Sequence, residues 1–276
     1  MCRQYIREGY QVSSNECIRW QGNLACLRID GVMVKSRHTI EGAHVFGPDS
    51  DHTTLAISGL SLLSDECTIQ SVCIDGNIEA SVLLACGYSI DEKAEWSISC
   101  GEDACVSISR GAIQKGRVDG FEIDEEFHSK ISEAWLTELS AVSQGAFVSE
   151  QAYLSSSSAR MNLTSQKMGD LLIWPPREMV GSERPEEGSA LRWSGIIESW
   201  TKLSAGGAPS EFSLRAPILE GISTVFVRLI DGPCGVFLIA DDEDNLPQIG
   251  GDVNFAIRRL YAQDGMIRYG LKALIS

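Results

Sequence analysis

The sequence predicts an α+β protein, with an N-terminal α/β region followed by an all-β barrel. Short apolar runs rich in Val, Ile and Phe follow one another near the C-terminus, separated by Asp-Gly and Gly-Gly turns. Such runs predict antiparallel strands, and the spacing between them leaves no room for crossover helices. Farther upstream, strand-like and helix-like segments alternate along the chain, which is typical of an α/β region.

The length and composition predict two domains of modest size. With 276 residues, the chain can form two cores without help from a metal or disulfides. No apolar stretch is long enough to cross a bilayer, and residues 1–8 lack the apolar core of a signal peptide. The nine cysteines are irregularly spaced and lie mostly in apolar runs. These features predict a soluble cytoplasmic protein whose cysteines are buried thiols.

The net charge of −15 argues against nucleic acid as a partner. Residues 191–276 contain eight Lys and Arg and ten Asp and Glu, so most of the negative charge lies on the first 190 residues. An acidic body repels phosphate backbones, and no stripe of Lys and Arg is available to neutralise several phosphates at once.

Turn and cap residues bound the predicted elements of the N-terminal region. These elements are a hairpin over 24–34, a helix over 51–63 capped by Asp49, Ser50 or Asp51, a strand over 71–74, a short helix over 78–86, and strand-like alternation over 96–108. Strands and helices therefore alternate over about the first hundred residues.

The middle of the chain predicts one helix followed by a linker. Apolar residues recur at helical spacing over 124–142, with Glu and Lys on the other face. The polar segment 149–167 contains four consecutive serines and has the composition of a mobile connection. The predicted domains are an α/β region over 1–145, a linker over 146–170 and a barrel domain over 171–276.

Residues 165–276 resemble the acyl-CoA-associated OB-fold family, long catalogued as domain of unknown function 35. The resemblance lies in Trp-Pro-Pro-Arg-Glu at 174–178, in the segment 191–200 and in the stretch 225–271, whose basic and aromatic end is its most specific part. The family's order is a helix, a zinc ribbon, a strand with a Gly kink and a five-stranded barrel, and that order is kept here. The resemblance implies an OB-fold that serves acyl-CoA enzymes.

The chain departs from this family at the zinc ribbon. A zinc ribbon needs four thiolates to complete tetrahedral coordination, and no cysteine lies between Cys105 and Cys234. We therefore predict a metal-free remnant loop and no cofactor. His44 and His52 flank Gly47-Pro48-Asp49, where a surface loop is a better interpretation than a metal site.

Three N-terminal segments resemble, in the same order, thiolase-superfamily enzymes of the hydroxymethylglutaryl-CoA synthase type. They lie at 31–40, 48–56 and 100–111. Because the region is far shorter than a two-part thiolase fold, the resemblance implies a truncated thiolase-like half. Thiolase chemistry needs an activated cysteine beside a base. Cys73 is the candidate nucleophile, although its apolar neighbours suit a buried strand better.

The predicted contacts for a partner protein or for CoA share a cationic or aromatic side chain: Trp174, Arg177, Arg258, Arg259, Tyr261, Arg268 and Tyr269. The last five lie on the C-terminal strands, where they would form a small cationic and aromatic face on an acidic protein. The alternative is that these arginines form salt bridges with the acidic residues at 241–244, a segment that otherwise predicts a solvated turn.

The leading functional interpretation is a non-catalytic accessory subunit. As the resemblance implies, it would dock a thiolase or ketosynthase-type enzyme in a hetero-oligomer and help to guide acyl-CoA. The first alternative is a reduced acyl-CoA-processing enzyme whose nucleophile is Cys73, Cys100 or Cys105. The second is single-strand nucleic-acid binding by the barrel, which needs stacking aromatic residues in a basic groove.

Overall fold

The computed structural model describes residues 17–28, 30–64, 68–111, 119–141 and 156–275. These residues form an N-terminal mixed sheet and a closed five-stranded barrel that share one large hydrophobic core. The fold is therefore α+β, as the sequence predicts. Among the described residues, no helix is both long and apolar enough to span a membrane.

The N-terminal elements are strands with two interspersed helices. They are β1 (Cys17–Trp20), β2 (Asn23–Arg28), β3 (Gly31–Lys35), β4 (His38–Ile40), β5 (Ala43–Val45), α1 (His52–Ser64), β6 (Ser71–Asp75), α2 (Ala80–Ala85), β7 (Ser89–Ile90), β8 (Trp96–Cys100) and β9 (Cys105–Ser109). Seven of the strands form one sheet in the order β1-β2-β3-β9-β8-β6-β7. The predicted hairpin at 24–34 is confirmed by the antiparallel pairing of β2 with β3. The thiolase-like origin of this region stays a prediction.

Helix α1 lies between the seven-stranded sheet and the barrel. The Asp51 side chain caps it, because Oδ1 accepts a hydrogen bond from the Thr54 backbone N–H at 3.0 Å. Most of its residues are buried, as expected of a helix that is covered on all sides. Gly59 allows the close packing, since a Cβ there would lie 2.6 Å from Ile108 Cδ1 on β9.

The middle of the chain contains more regular structure than the sequence predicts. Its elements are β10 (Phe121–Glu122), α3 (Glu125–Ser140), α4 (Ser157–Met161), β11 (Thr164–Met168), β12 (Leu171–Ile173) and β13 (Glu186–Ala190). Helix α3 confirms the amphipathic helix predicted over 124–142. Residues 156–168 of the predicted linker instead form α4 and β11, and β11 is the central strand of a three-stranded sheet with β12 and β13. Residues 146–155 of the predicted linker lie outside the described residues, and residues 169–170 form the turn between β11 and β12.

The barrel contains five strands and a short helix. They are β14 (Ser194–Leu203), α5 (Arg215–Ile218), β15 (Ile222–Leu229), β16 (Cys234–Ile239), β17 (Asp252–Gln263) and β18 (Met266–Ile275). The strands close in the order β14-β15-β16-β18-β17, with β17 also pairing with β14. Only β16 and β18 pair in parallel among these strands. A closed five-stranded Greek-key barrel of this kind is the OB-fold architecture.

One pair of cysteines corrects the expectation of buried thiols. The structure joins Cys17 and Cys26, which are cross-strand neighbours on β1 and β2, in a disulfide. The prediction is therefore wrong for this pair, while the cytoplasmic location remains a prediction.

Candidate functional site

The predicted cationic and aromatic face of the last strands is turned towards the N-terminal region. Arg258, Arg268 and Tyr269 are buried, and Arg259 and Tyr261 are half-buried. The Tyr269 hydroxyl donates a hydrogen bond to Asp51 Oδ2 at 2.7 Å. Burial and the nearby Asp51 charge raise the pKa of this phenol well above its usual range. The buried residues of this group therefore have no open surface for a partner or for CoA.

Asp49 is the centre of the contacts that hold this face. Arg258 Nε lies 3.4 Å from its Oδ1, and Lys272 Nζ lies 2.9 Å from its Oδ2. The backbone N–H of Asp241 also donates to Oδ2, at 2.9 Å. All three of these ionic side chains are almost completely buried. Asp49 thus joins the start of α1 to strands β17 and β18.

The same network continues to helix α3 through Arg215. The Arg215 Nε donates to both carboxylate oxygens of Glu138, at 2.9 and 3.0 Å, and its Nη2 donates to the Leu260 carbonyl at 2.8 Å. Its guanidinium also lies 3.9 Å from the centre of the Trp135 ring, and that of Arg259 lies 4.4 Å from the same centre. Cation–π and ionic contacts thus fasten α3 to the barrel.

Together these residues form what we call the buried charge cluster: Asp49, Glu138, Arg215, Asp241, Arg258 and Lys272. It contains three carboxylates and three cations, so its formal charges balance when all are ionised. Burial raises the pKa of Glu138, although the Arg215 charge and hydrogen bond oppose the rise. Burial likewise raises the pKa of Asp241, against the charge of Lys272. Desolvation thus disfavours the charged forms of Glu138 and Asp241, and the neighbouring cations oppose this effect.

The acidic segment at 241–244 is not the solvated turn that the sequence predicts. The Asp242 side chain is only 6% exposed, with Arg37 Nε at 3.4 Å and His38 Nε2 at 3.1 Å from its Oδ2. Burial alone would raise the pKa of the Asp242 carboxyl. The hydrogen bond from His38 and the charges of Arg258 and Arg37 together hold that pKa below its usual range. Only the end of the segment fits the prediction, since the Asp244 side chain is 81% exposed.

For Arg258, the alternative of a salt bridge is correct in kind, but the partner does not lie in the acidic segment at 241–244. The ion-pair partner of Arg258 is Asp49, far upstream, while Asp242 contributes a nearby charge.

The loop predicted around His44 and His52 is also less exposed than expected. His44 is buried with its Nδ1 2.7 Å from the Ser36 carbonyl oxygen, and His52 Nε2 lies 3.2 Å from that of Gly101.

Trp174 and Arg177 lie in a different place, in a cleft of about 500 Å³ beside the barrel. Arg160 from α4 and Arg184 from the loop before β13 line the same cleft, together with Pro175 and Pro176. Glu178 is its one acidic lining residue, so the walls carry a formal excess of positive charge. We call this site the arginine cleft.

Contacts with the barrel and with α4 fix Trp174 in the arginine cleft. Its ring stacks on Phe237 of β16 with centroids 5.5 Å apart, and its Nε1 donates to the Ala159 carbonyl at 2.9 Å. Gly235 leaves room for it, because a Cβ at that position would lie 2.4 Å from Trp174 Cζ3. The Arg177 backbone N–H donates to Gln166 Oε1 at 2.7 Å, which fixes the loop that carries its guanidinium.

The three candidate nucleophiles lie on the seven-stranded sheet. Cys73 is half-buried on β6, opposite Ser97 of β8, and none of the described residues forms a hydrogen bond or ion pair with its thiol. Burial raises the pKa of Cys100, against a backbone hydrogen bond at Asn77. Cys105 is buried at the start of β9. Across the described ranges, no group of three His, Cys, Asp or Glu residues is placed to hold a metal ion.

The outer surface of β15 and β16 is the usual ligand-binding face of an OB barrel. Here Phe226 and Val236 pair across the two strands and expose 39% and 67% of their surface. The neighbouring Arg228 forms an ion pair with Glu198 at 2.7 Å, so its charge is offset. This surface, which we call the barrel face, is therefore apolar at its centre and is not a strongly basic groove.

Sequence reasoning missed Arg160 and Arg184. Arg160 lies in the serine-rich segment taken as a linker, and Arg184 lies among glutamates and glycines in the loop after Pro176. Neither residue has a spacing motif that could have indicated a site. The folding of α4 against β18 and β11 brings Arg160 to the arginine cleft, and the segment between β12 and β13 brings Arg184 there.

No protein-family model and no curated protein matches this chain. Among solved structures, one described as "Ltp2-ChsH2(DUF35) aldolase" is similar over 47% of this chain and 98% of that chain. The sequence identity is 14% and the TM-score is 0.33. Its description includes the family that residues 165–276 resemble, but a likeness at this TM-score supports no argument about fold or function.

Proposed function

We propose that the protein is a non-catalytic accessory subunit that docks an acyl-CoA enzyme of the thiolase or ketosynthase type and helps to guide its acyl-CoA. The docking part of the proposal rests on the exposed apolar centre of the barrel face. One side of the barrel is covered by α1 and α3, while the outer surface of β15 and β16 leaves Phe226 and Val236 exposed. Paired apolar side chains that a fold leaves uncovered are typical of protein contact surfaces.

The arginine cleft supports the acyl-CoA part of the proposal. Trp174 and Arg177, both predicted contacts, lie together there with two further arginines. CoA carries phosphates at one end, and guanidinium groups bind phosphate oxygens in a bidentate manner. The buried members of the predicted set, such as Arg258 and Tyr269, take part in this proposal only as a framework that holds the barrel to the N-terminal region.

Copurification from the native host tests the docking part. The tagged chain should recover a thiolase-like protein, and the double variant Phe226→Ser, Val236→Ser should lose it. Leu136→Ser is the matched control, because Leu136 is an exposed apolar residue on α3, away from the barrel face. A wild-type preparation that stays monomeric and recovers no enzyme would contradict the proposal.

The enzyme alternative has a direct test of its own. Incubation with acyl-CoA followed by mass spectrometry would reveal an acyl group on Cys73, Cys100 or Cys105. We expect no added mass on these peptides, and acylation of one of them would replace the accessory role with a catalytic one.

A further inference from the structure

The guanidinium groups of Arg177 and Arg184 have no counterion within the described residues. Both side chains are exposed, and neither forms an ion pair or a side-chain hydrogen bond with another described residue. Several other surface arginines of this acidic chain are paired, for example Arg192 with Asp231 and Arg228 with Glu198, both at 2.7 Å. Two unpaired cations in one concave site, on a protein with a net charge of −15, indicate a place for an anion.

The remaining walls of the arginine cleft are rigid. Arg160 is held by hydrogen bonds that include one from Nη1 to the Tyr269 carbonyl at 2.9 Å and one from Nε to Ser156 Oγ at 3.2 Å. Trp174 is held by its stacking on Phe237. The cleft therefore combines a fixed aromatic wall and a fixed cation with two arginines on a loop. A site of about 500 Å³ with few, convergent polar groups is typical of small-molecule binding.

We propose that the arginine cleft binds a phosphorylated small molecule of the nucleotide class, with Arg177 and Arg184 as the phosphate contacts. A phosphate offers several acceptor oxygens, so it satisfies two or three guanidinium groups at once, whereas a single carboxylate satisfies one bidentate partner. Trp174 and the two prolines supply an apolar wall beside the charges. The inference deepens the proposed function and rests on it only for the identity of the natural ligand, acyl-CoA.

Calorimetric titration of the full chain tests this assignment with four probes. They are CoA, adenosine 3′,5′-bisphosphate, pyrophosphate and pantetheine, which lacks phosphate. We expect the three phosphorylated probes to bind, pantetheine not to bind, and added salt to weaken binding because exposed charges are screened. Arg177→Gln and Arg184→Gln should each lower the affinity for CoA about 10-fold or more, as expected when a charged hydrogen bond is lost.

Arg192→Gln is the matched control, since Arg192 is an exposed arginine of the barrel outside the cleft. It should leave the affinity for CoA unchanged. All three arginines are at the surface, so each variant should fold, and far-ultraviolet circular dichroism would verify that it does.

Two results would overturn the assignment. One is the absence of heat for every phosphorylated probe, and the other is an equal affinity in Arg177→Gln, Arg184→Gln and Arg192→Gln. Neither result bears on the proposed docking of a partner enzyme, because copurification with the barrel-face variants tests docking separately. Failure of the wild-type chain to recover any partner, with retained phosphate binding, would instead remove the docking part and leave the arginine cleft in place.

Discussion

The buried charge cluster and the arginine cleft use the same residue type in opposite ways. Arg258 and Arg215 expose none of their side chains, and carboxylates lie within 3.4 Å of both. Arg177 and Arg184 are exposed and have no ion-pair partner within the described residues. A buried guanidinium must be paired inside the fold, because leaving it uncompensated away from water is very costly. An exposed, unpaired guanidinium keeps its hydrogen-bonding capacity for a ligand.

The two regions should therefore respond differently to substitution. Buried ion pairs contribute little net stability relative to apolar packing, but they strongly penalise the loss of one partner. In this molecule the buried charge cluster joins α1, α3 and the last two strands of the barrel, so it determines how the N-terminal region sits on the barrel. Changes in the cluster should lower stability, and changes in the cleft should lower ligand affinity.

Asp49→Ala is expected to have the largest effect. It removes the carboxylate that pairs with Arg258 and Lys272 and leaves both cations buried. We expect a loss of about 3–5 kcal/mol in the free energy of unfolding. Urea denaturation followed by tryptophan fluorescence measures it, with Asp244→Ala as the control because that carboxylate is exposed. Equal losses in the two variants would show that burial does not distinguish them.

Gly235→Ala should have an intermediate effect that connects the barrel to the cleft. The new methyl group would lie 2.4 Å from the Trp174 ring, which has to move. Overpacking of this kind costs about 1–3 kcal/mol, and the displaced ring should also weaken binding in the arginine cleft. Denaturation and calorimetry measure the two effects. Gly206→Ala is the control, since its Cβ would contact nothing within 4 Å, and unchanged behaviour of both variants would refute the packing argument.

Asp242→Asn should change the pH dependence of stability. Because the pKa of Asp242 lies below its usual range, the folded state binds fewer protons there than the unfolded state. The stabilisation from this carboxylate is present above about pH 4 and is lost as the pH falls through the folded-state pKa. Glu138 and Asp241 have raised pKa values and act with the opposite sign. The difference between wild type and Asp242→Asn isolates the one residue.

We therefore expect wild type to be more stable than Asp242→Asn at neutral pH, with the difference shrinking in acid. Urea denaturation at a series of pH values measures both curves. The fold must remain two-state over the range, which coincident fluorescence and circular dichroism transitions would verify. A difference that stays constant, or that grows as the pH falls, would mean that Asp242 has no lowered pKa.

The elements could be predicted from the sequence wherever burial has a local period. Helices α1 and α3 and the barrel strands follow from apolar spacing and turn residues, because each buries one face or all faces of a regular element. The linker predicted over 156–168 is wrong, because α4 and β11 depend on hydrogen bonds to residues far away in the sequence. Examples are Arg160 to the Tyr269 carbonyl and the Ser165 hydroxyl to the Ser189 carbonyl, at 2.7 Å. Serine-rich composition alone cannot reveal such contacts.

Whether each arginine is buried in an ion pair or exposed for a ligand could not be predicted from the sequence, for a related reason. The sequence predicts both Arg258 and Arg177 as binding residues, Arg258 from the tyrosines near it and Arg177 from the Trp-Pro-Pro-Arg-Glu segment of the family resemblance. What separates them is the distant Asp49, which reaches β17 only when α1 packs on the barrel. Opposite charges far apart in the sequence carry no periodic signal, so the partner of a buried arginine becomes visible only in the folded chain.

Arg228→Gln should have the smallest effect, although its ion pair with Glu198 is as short as 2.7 Å. Both side chains are exposed, so water solvates them equally well when they are separated, and ordering two long side chains costs entropy. We expect no measurable change in the urea midpoint. Glu198→Gln should match it, because each variant breaks the same pair. A loss approaching that of Asp49→Ala would show that distance, and not burial, governs the strength of the ion pairs in this protein.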